Sequence, residues 1–350
     1  MILVRTPLRI SIAGGGTDLP SYYEKFGGSW ISAAIDKHVF IGLNTPFAPE
    51  YILRYSATER VASIEQIQHK LIREVFKAHD IPPVELVSLA DIPSGTGLGS
   101  SGTFTVCLLR AVYALKRAFV TPQALAEEAF DIEVRRLGQP SGKQDQYIAA
   151  YGGITCFDAD TTGAIRPAPL ALPQSSLRQL QNNLLLFFTG YSRTSEGLLS
   201  DQKKKSETGD KDMIENLHFV RELGEEIKQA LLSGALNTFA GCLHKHWLRK
   251  RERSAGMSNS KIDGWYSLAM QNGAQGGKLV GAGGGGFLMF YTEEPERLRT
   301  TMAAAGLEEV HFHFDFEGPS VIMRDGSVWK DNQCPQTMPA FQQSLFSPAA

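Results

Sequence analysis

The stretch Asp91-Ile92-Pro93-Ser94-Gly95-Thr96-Gly97-Leu98-Gly99-Ser100-Ser101-Gly102 constrains this chain more than any other. Val84 to Leu89 upstream reads as a strand, and Phe104, Leu108, Ala111, Val112 and Leu115 downstream recur at helical spacing. The unit is therefore strand, glycine-rich turn, helix. A turn of this kind opens onto free backbone N–H groups and the positive end of a helix dipole, which favours an anion. Glycine lets the backbone approach that anion and take φ > 0 where the turn needs it. No charged residue occurs from Ile92 to Leu109, so nothing acidic competes for the site.

A Walker A loop would need Gly-Lys-Ser/Thr, and the turn has no lysine. The glycine spacing also departs from the G-x-G-x-x-G of a dinucleotide fold, which disfavours a nicotinamide-dependent oxidoreductase. A flexible Gly/Ser loop capping a helix is the bland alternative. At 350 residues the chain has room for two domains, and a formal charge of −2 points to neither nucleic acid nor an anionic membrane as partner. Cys107, Cys156, Cys242 and Cys334 are far apart and read as buried free thiols. The start of the chain lacks the apolar core of a signal peptide, and no apolar run approaches the ~20 residues of a membrane helix. A cytoplasmic enzyme is expected.

Elsewhere, Leu8, Ile10 and Ile12 alternate with Arg9, Ser11 and Ala13, a half-buried strand that runs into Gly14-Gly15-Gly16-Thr17-Asp18. Asp18 could cap a following helix. Strands are expected near 39–44 and 51–55, and a helix over 65–78. Thr121-Pro122 starts a helix on which Leu125, Ala129 and Glu133 share a face, so Glu133 points inward. A carboxylate there needs either an arginine, Arg135 or Arg136, or a metal ion. Prolines between 164 and 175 suggest a domain junction. Residues 201–212 read as a charged, mobile surface segment, and helices follow near 213–232, 236–253 and 261–272. The alternation of Val310, Phe312, Phe314 and Phe316 with His311, His313 and Asp315 predicts a strand with an exposed polar face. The pattern suggests two α+β domains, with residues 331–350 a loosely ordered tail.

Three glycine-rich motifs in one order carry a resemblance to the GHMP kinases. Residues 93–101 resemble the family's phosphate-binding motif. The opening from Pro7 to Asp18 resembles its first motif, with Leu8 in place of a glycine and Gly15-Gly16 in place of Glu-His. Residues 278–287 resemble its third. The resemblance implies an N-terminal α+β domain over residues 1–165, a C-terminal ferredoxin-like domain over 166–330, and an active site between them. It implies ATP phosphates on Gly95, Gly97, Leu98, Gly99, Ser100 and Ser101, Mg²⁺ on Ser101 and Glu133, and catalysis by Asp145 with Arg9. Glu133 stands seven residues before Pro140, and Asp145 follows Ser141-Gly142 closely, as the family's magnesium ligand and catalytic aspartate do. The chemistry agrees, because magnesium prefers hard oxygen ligands beside phosphate and a hydroxyl nucleophile needs a carboxylate for its proton.

Within the family, the Arg9–Pro20 segment, Lys143-Gln144-Asp145-Gln146 and His244-Lys245-His246-Trp247 look most like the kinases of D-glycero-D-manno-heptose 7-phosphate. These phosphorylate the anomeric hydroxyl to give the 1,7-bisphosphate, on the way to nucleotide-activated heptose for bacterial surface polysaccharide. On that likeness Asp18, Gly15, Thr17, Lys143, Arg193 and Gly284 are the acceptor-binding candidates, with Lys245 and Lys250 as further basic candidates for the acceptor phosphate. The partners implied are ATP and a sugar phosphate, with no nucleic acid or membrane, and a homodimer is compatible. Another sugar-1-kinase, of the L-fucose type, and a nucleotide-binding regulatory module without catalysis remain open.

Overall fold

The computed structural model describes residues 1–190, 196–254 and 256–325. Arg193, Cys334 and the expected tail lie outside them. In chain order the strands are β1 (Ile2–Ala13), β2 (Gly28–Asn44), β3 (Tyr51–Arg54), β4 (Thr58–Val61), β5 (Glu85–Ala90), β6 (Ile154–Ala159), β7 (Ile165–Pro169), β8 (Leu184–Phe188), β9 (Ala274–Leu279), β10 (Phe287–Thr292), β11 (Glu308–Glu309) and β12 (Ser320–Arg324). The helices are α1 (Pro20–Phe26), α2 (Lys70–His79), α3 (Ser100–Leu115), α4 (Pro122–Phe130), α5 (Gln144–Tyr151), α6 (Gln174–Asn183), α7 (Glu196–Glu207), α8 (Lys211–Ser233), α9 (Leu236–Arg251), α10 (Ser260–Gln271) and α11 (Pro295–Ala304).

The first sheet runs β12-β1-β2-β5-β3-β4, with β6 pairing β2 and β7 pairing β6. β2 is long enough to serve two partners: Gly28–Ala33 pairs β6, and Val39–Asn44 pairs β5. The β1–β2 register slips between Pro7 and Leu8. Proline has no N–H for the ladder, so a bulge falls there naturally. Beyond it, β1 delivers Arg9 and Ser11 to the site.

β1 is not half-buried as its alternation suggests: Leu8 to Ala13 are all buried. Helices α3 and α5 pack on it, and so do α8 and α9, so both faces lose water. Helix α3 is apolar nearly all round and sits in the core.

The second sheet is antiparallel in the order β11-β8-β10-β9. Numbered within its own unit that order is 4-1-3-2, with helices after the first and third strands, which is a ferredoxin-like arrangement. The two units do not separate cleanly in sequence, since β7 and β12 complete the first sheet from beyond residue 164.

Two local expectations are corrected. Residues 201–212 are not a loose segment, because α7 covers most of them and is tied by Lys205–Asp201 at 2.9 Å. Residues 310–316 form no strand; they cross onto β2 instead. Asp36 N donates to His313 O at 2.8 Å, Asp315 N donates to Ala34 O at 3.0 Å, and the Asp315 carboxylate is buried against His38 at 2.9 Å. Aromatic alternation marked the buried residues Phe312 and Phe314, while Phe316 is exposed. Gly276-Gly277-Lys278 forms part of β9, where bare glycines let α9 lie against the strand; a Cβ on Gly276 would meet Ala240 O at 1.8 Å.

Candidate active site

Helix α3 begins at Gly99, which takes φ +77° and leaves the helix without a side-chain cap. Gly95 and Gly97 are also left-handed, at φ +78° and +87°. Gly97 additionally packs on the second glycine loop, since a Cβ there would meet Val280 O at 2.9 Å and Gly281 Cα at 3.4 Å. The two loops thus meet through bare backbone, one from each unit. Gly95, Gly97, Gly99, Ser100 and Ser101 line a cleft of about 950 Å³ between the units. Leu98 is buried beneath it, and its carbonyl accepts from Arg9 N at 3.0 Å. The buried Ser100 hydroxyl has no partner among the described residues.

Arg9 reaches from β1 to the mouth of this turn. Its Nε donates to Asp145 Oδ1 at 2.8 Å, and Nη1 donates to Gly97 O at 2.5 Å. Asp145 stands in the first turn of α5, close above Gly99 and Gly102. No residue other than glycine fits at Gly102, where a Cβ would meet Asp145 Cβ at 2.7 Å. The catalytic candidates and the phosphate turn are therefore in one place.

Glu133 lies on a π-helical segment over Asp131–Arg136 that continues α4. Such single wide turns commonly re-aim a side chain at a functional site. The carboxylate is 1% exposed; Oε2 accepts from the Ser101 hydroxyl at 3.1 Å, and Oε1 is buried with no partner. Burial pushes its pKa up to about 7, against the polar side chains of Thr105, Ser101 and Gln146 nearby, which favour ionisation. Arg135 and Arg136 pair with Asp131, not with Glu133. An orphaned carboxylate oxygen beside a serine hydroxyl suits a hard cation, so the residues fit Mg²⁺.

The acceptor candidates divide. Asp18 and Gly15 line the cleft. Asp18 does not cap α1, whose N-cap is Leu19; its carboxylate accepts from Gly16 N at 2.8 Å and Gln144 N at 3.3 Å. Burial raises its pKa, with Asp145 adding repulsion. Thr17 is fully buried, bonded to Gly14 O and Ser29 O at 2.8 Å each. Gly284 spends its N–H on Met257 O at 2.9 Å. Lys143 does not face the cleft: its ammonium is buried on Gly163 O at 2.8 Å and paired with Glu127 at 2.5 Å, among Tyr23, Phe130 and Tyr147. Lys245 is exposed beside Glu226. Of the basic candidates within the described residues, Lys250 alone lines the cleft.

Sequence reasoning missed four lining residues: Ser11, His246, Arg253 and Lys278. A signal was present, for His246, Lys250 and Arg253 recur at intervals of four and three, one basic stripe on a helix face. At the opposite end the cleft is apolar, with Val39, Tyr55, His69, Leu71, Leu89 and Phe104. There the His69 and Phe104 rings stack at 5.4 Å.

Residues 64–153 match the model of the GHMP kinases N-terminal domain, and residues 227–307 that of the GHMP kinases C-terminal domain. The chain is a GHMP kinase. It is 29% identical to the D-glycero-alpha-D-manno-heptose 7-phosphate kinase of Campylobacter jejuni over 314 residues, 85% of this chain and 91% of that protein. It is 23% identical to the L-fucokinase/L-fucose-1-P guanylyltransferase of Bacteroides fragilis over 83% of this chain but 34% of that longer protein. Among solved structures it resembles a D-glycero-D-manno-heptose 1-phosphate kinase from Bacteroides thetaiotaomicron, with a TM-score of 0.76, 25% identity, and coverage of 93% of this chain and all of that one. Apart from residue 255, both matched domains lie within the described residues.

Proposed function

We propose that this ATP-dependent sugar kinase transfers the γ-phosphoryl group to the anomeric hydroxyl of D-glycero-D-manno-heptose 7-phosphate, giving the 1,7-bisphosphate. The observation that carries the reaction type is the Arg9–Asp145 pair at 2.8 Å, beside an uncapped helix terminus. The acceptor follows from likeness to the Campylobacter jejuni kinase.

The N–H groups that open α3 and the Ser100 hydroxyl receive the ATP phosphates. Tyr55, His69 and Phe104 offer the nucleotide base an aromatic slot. Ser101 and Glu133 would hold Mg²⁺, which would neutralise charge on the phosphates as the transferred group leaves. Asp145 takes the anomeric proton as the sugar oxygen bonds to phosphorus and the bond to the ADP oxygen breaks. Arg9 keeps Asp145 oriented and lends positive charge to the transferring group. Asp18, beside the start of α5, reads ring hydroxyls. No described helix is long and apolar enough to cross a membrane. With ATP as co-substrate, we assign the reaction to the cytoplasm, upstream of nucleotide-activated heptose for surface polysaccharide.

Incubation with ATP, Mg²⁺ and a panel of sugars and sugar phosphates, with ADP release measured and the product located by phosphorus NMR, tests this. Highest kcat/KM on the heptose 7-phosphate, with new phosphate at the anomeric carbon, is expected. A higher kcat/KM on unphosphorylated L-fucose would replace the reading with a fucose-type kinase, the alternative that the Bacteroides fragilis relative favours.

A further inference from the structure

Four basic side chains meet inside the cleft: His246 and Lys278 at 1% exposure, Arg253 at 5% and Lys250 at 6%. Their partners are neutral. Lys278 Nζ donates to Ile12 O at 3.0 Å and lies 3.1 Å from His246 Nδ1. Lys250 Nζ donates to Leu279 O at 3.0 Å and to Gly281 O. Arg253 donates from Nε to Asn216 Oδ1 and from Nη1 to Gly15 O, both at 2.8 Å. No ion pair joins Lys250, Arg253 or Lys278 to a carboxylate among the described residues, although the field of Asp18 reaches Arg253.

Two polar atoms are left over, Arg253 Nη2 and His246 Nε2, both buried with no partner. An ammonium can only donate, so with Lys278 protonated the neutral His246 ring takes its proton on Nε2. Both orphans are therefore donors awaiting an acceptor. Buried cations without a counter-charge are costly, and a protein keeps them where an anion completes them. Burial pushes Arg253 down to about 10; burial first, and then repulsion from neighbouring cations, pushes Lys250 down to about 7 and holds Lys278 and His246 well below their ordinary values.

The ATP phosphates are assigned above to Ser100, Ser101 and the opening of α3. Arg253 and Lys278 instead hold the carbonyls of Gly15 and Ile12, at the end of β1 that leads to Asp18, though the charge of Arg9 reaches Lys250 and Lys278. We infer that Arg253, His246, Lys278 and Lys250 form the seat of a phosphate already carried by the acceptor, a dianion at the far end of the sugar from the reacting hydroxyl. The identity of that acceptor rests on the function proposed above; the cluster itself requires only a phosphorylated one. Arg253 Nη2 and His246 Nε2–H then donate to two phosphate oxygens, and the two ammonium groups supply charge.

The test compares kcat/KM for D-glycero-D-manno-heptose 7-phosphate with that for the unphosphorylated heptose, in the wild type and in Arg253→Gln and Lys250→Met. Expected is a loss of at least about tenfold on the phosphorylated sugar, carried in KM, with a much smaller change on the unphosphorylated one. Equal losses on both sugars, in a wild type that prefers the phosphorylated one, would overturn the inference and leave the reaction assignment standing. A separate arm needs no sugar. With ADP and Mg²⁺ saturating the nucleotide site, inorganic phosphate should raise the Tm of the wild type and not of Arg253→Lys, which keeps the charge but loses the fork. An equal rise in both proteins would sink the cluster as the phosphate seat.

Discussion

The Arg9 guanidinium holds the Asp145 carboxylate through two nitrogens, Nε at 2.8 Å and Nη2 at 2.7 Å from the same oxygen, and spends its third on the carbonyl of Gly97. One side chain thereby fixes the carboxylate relative to the phosphate turn. Gly99 makes this possible, because a Cβ there would meet Arg9 Cγ at 3.0 Å and Asp145 Cγ at 3.2 Å.

Asp145→Asn keeps the shape and loses the base. General-base catalysis typically contributes ~10²–10⁴-fold, so kcat should fall by at least the lower figure while ATP affinity holds. Arg9→Ala should also lower kcat, and the double variant should lose less than the two single losses combined. Steady-state kinetics on all three variants decides it; an Asp145→Asn enzyme that retains most of its kcat would demote Asp145 to an orienting group.

Gly97→Ala probes the contact between the glycine loops. The residue sits at φ +87°, and its Cβ would lie 2.9 Å from Val280 O, so strain and displacement combine. Weaker ATP binding by titration calorimetry is expected, with a Tm lowered alongside it. Unchanged nucleotide affinity in a folded variant would mean the turn is only a link.

How much of this was legible beforehand follows from what each signal encodes. The glycine turn, α3 and α4 were readable, because tight backbone geometry and capping are local demands written in local residues; the approach of Arg9 to Asp145 followed only from the family resemblance. Lys143 was misread: charge next to a motif suggested the cleft, but α4 supplies Glu127, and aromatic rings close over the ammonium. Thr17 and Gly284 fell inside motifs yet serve the backbone. The basic stripe of His246 and Lys250 on α9, continued by Arg253 just past its end, was visible as spacing, but only tertiary packing tells that it is buried and not solvated. The strand expected at 310–316 failed because alternation records burial, whichever backbone produces it.

Lys143→Met follows from that correction. Removing the cation leaves Glu127 partly buried without its counter-charge, and breaking a buried pair costs ~3–5 kcal/mol. Exposure of the pair's acidic side to water discounts this toward the lower end. Chemical denaturation should register the loss, while KM for the sugar phosphate in the folded fraction stays near wild type. A large rise in KM with unchanged stability would return Lys143 to the acceptor site.

Glu133→Gln removes charge from the Ser101–Glu133 oxygen pair at 3.1 Å. The Mg²⁺ concentration giving half-maximal rate should rise several-fold, with KM for the sugar less affected. If the magnesium dependence does not move, Glu133 is a structural acceptor for the Ser101 hydroxyl.

The last prediction concerns pH and the cation stripe. In the folded protein Lys250 sits at about 7 against an ordinary value of 10.5, depressed by burial first and then by Arg253 and Arg9. Lys278 and His246 face it as well, both depressed in the same direction. Between these two pH values the unfolded chain binds more protons at this group than the native one, so native stability rises with pH across that window. Below about 7 the cost of charging the buried ammonium is present in full; toward 10.5 it vanishes. Lys250→Met removes the group and its slope, though it also leaves Leu279 O and Gly281 O short of a donor, a loss that does not vary with pH. The readout is therefore the difference between the two proteins in urea unfolding at a series of pH values from neutral upward, in buffers free of phosphate. Wild type should gain on the variant steadily as pH rises. Adding inorganic phosphate near pH 8 should favour the protonated ammonium and shrink the slope, because an anion in the cluster raises the pKa it was depressing. Parallel stability curves for wild type and variant, with and without phosphate, would mean that Lys250 is not a strained cation and that the stripe stores no affinity for an anion.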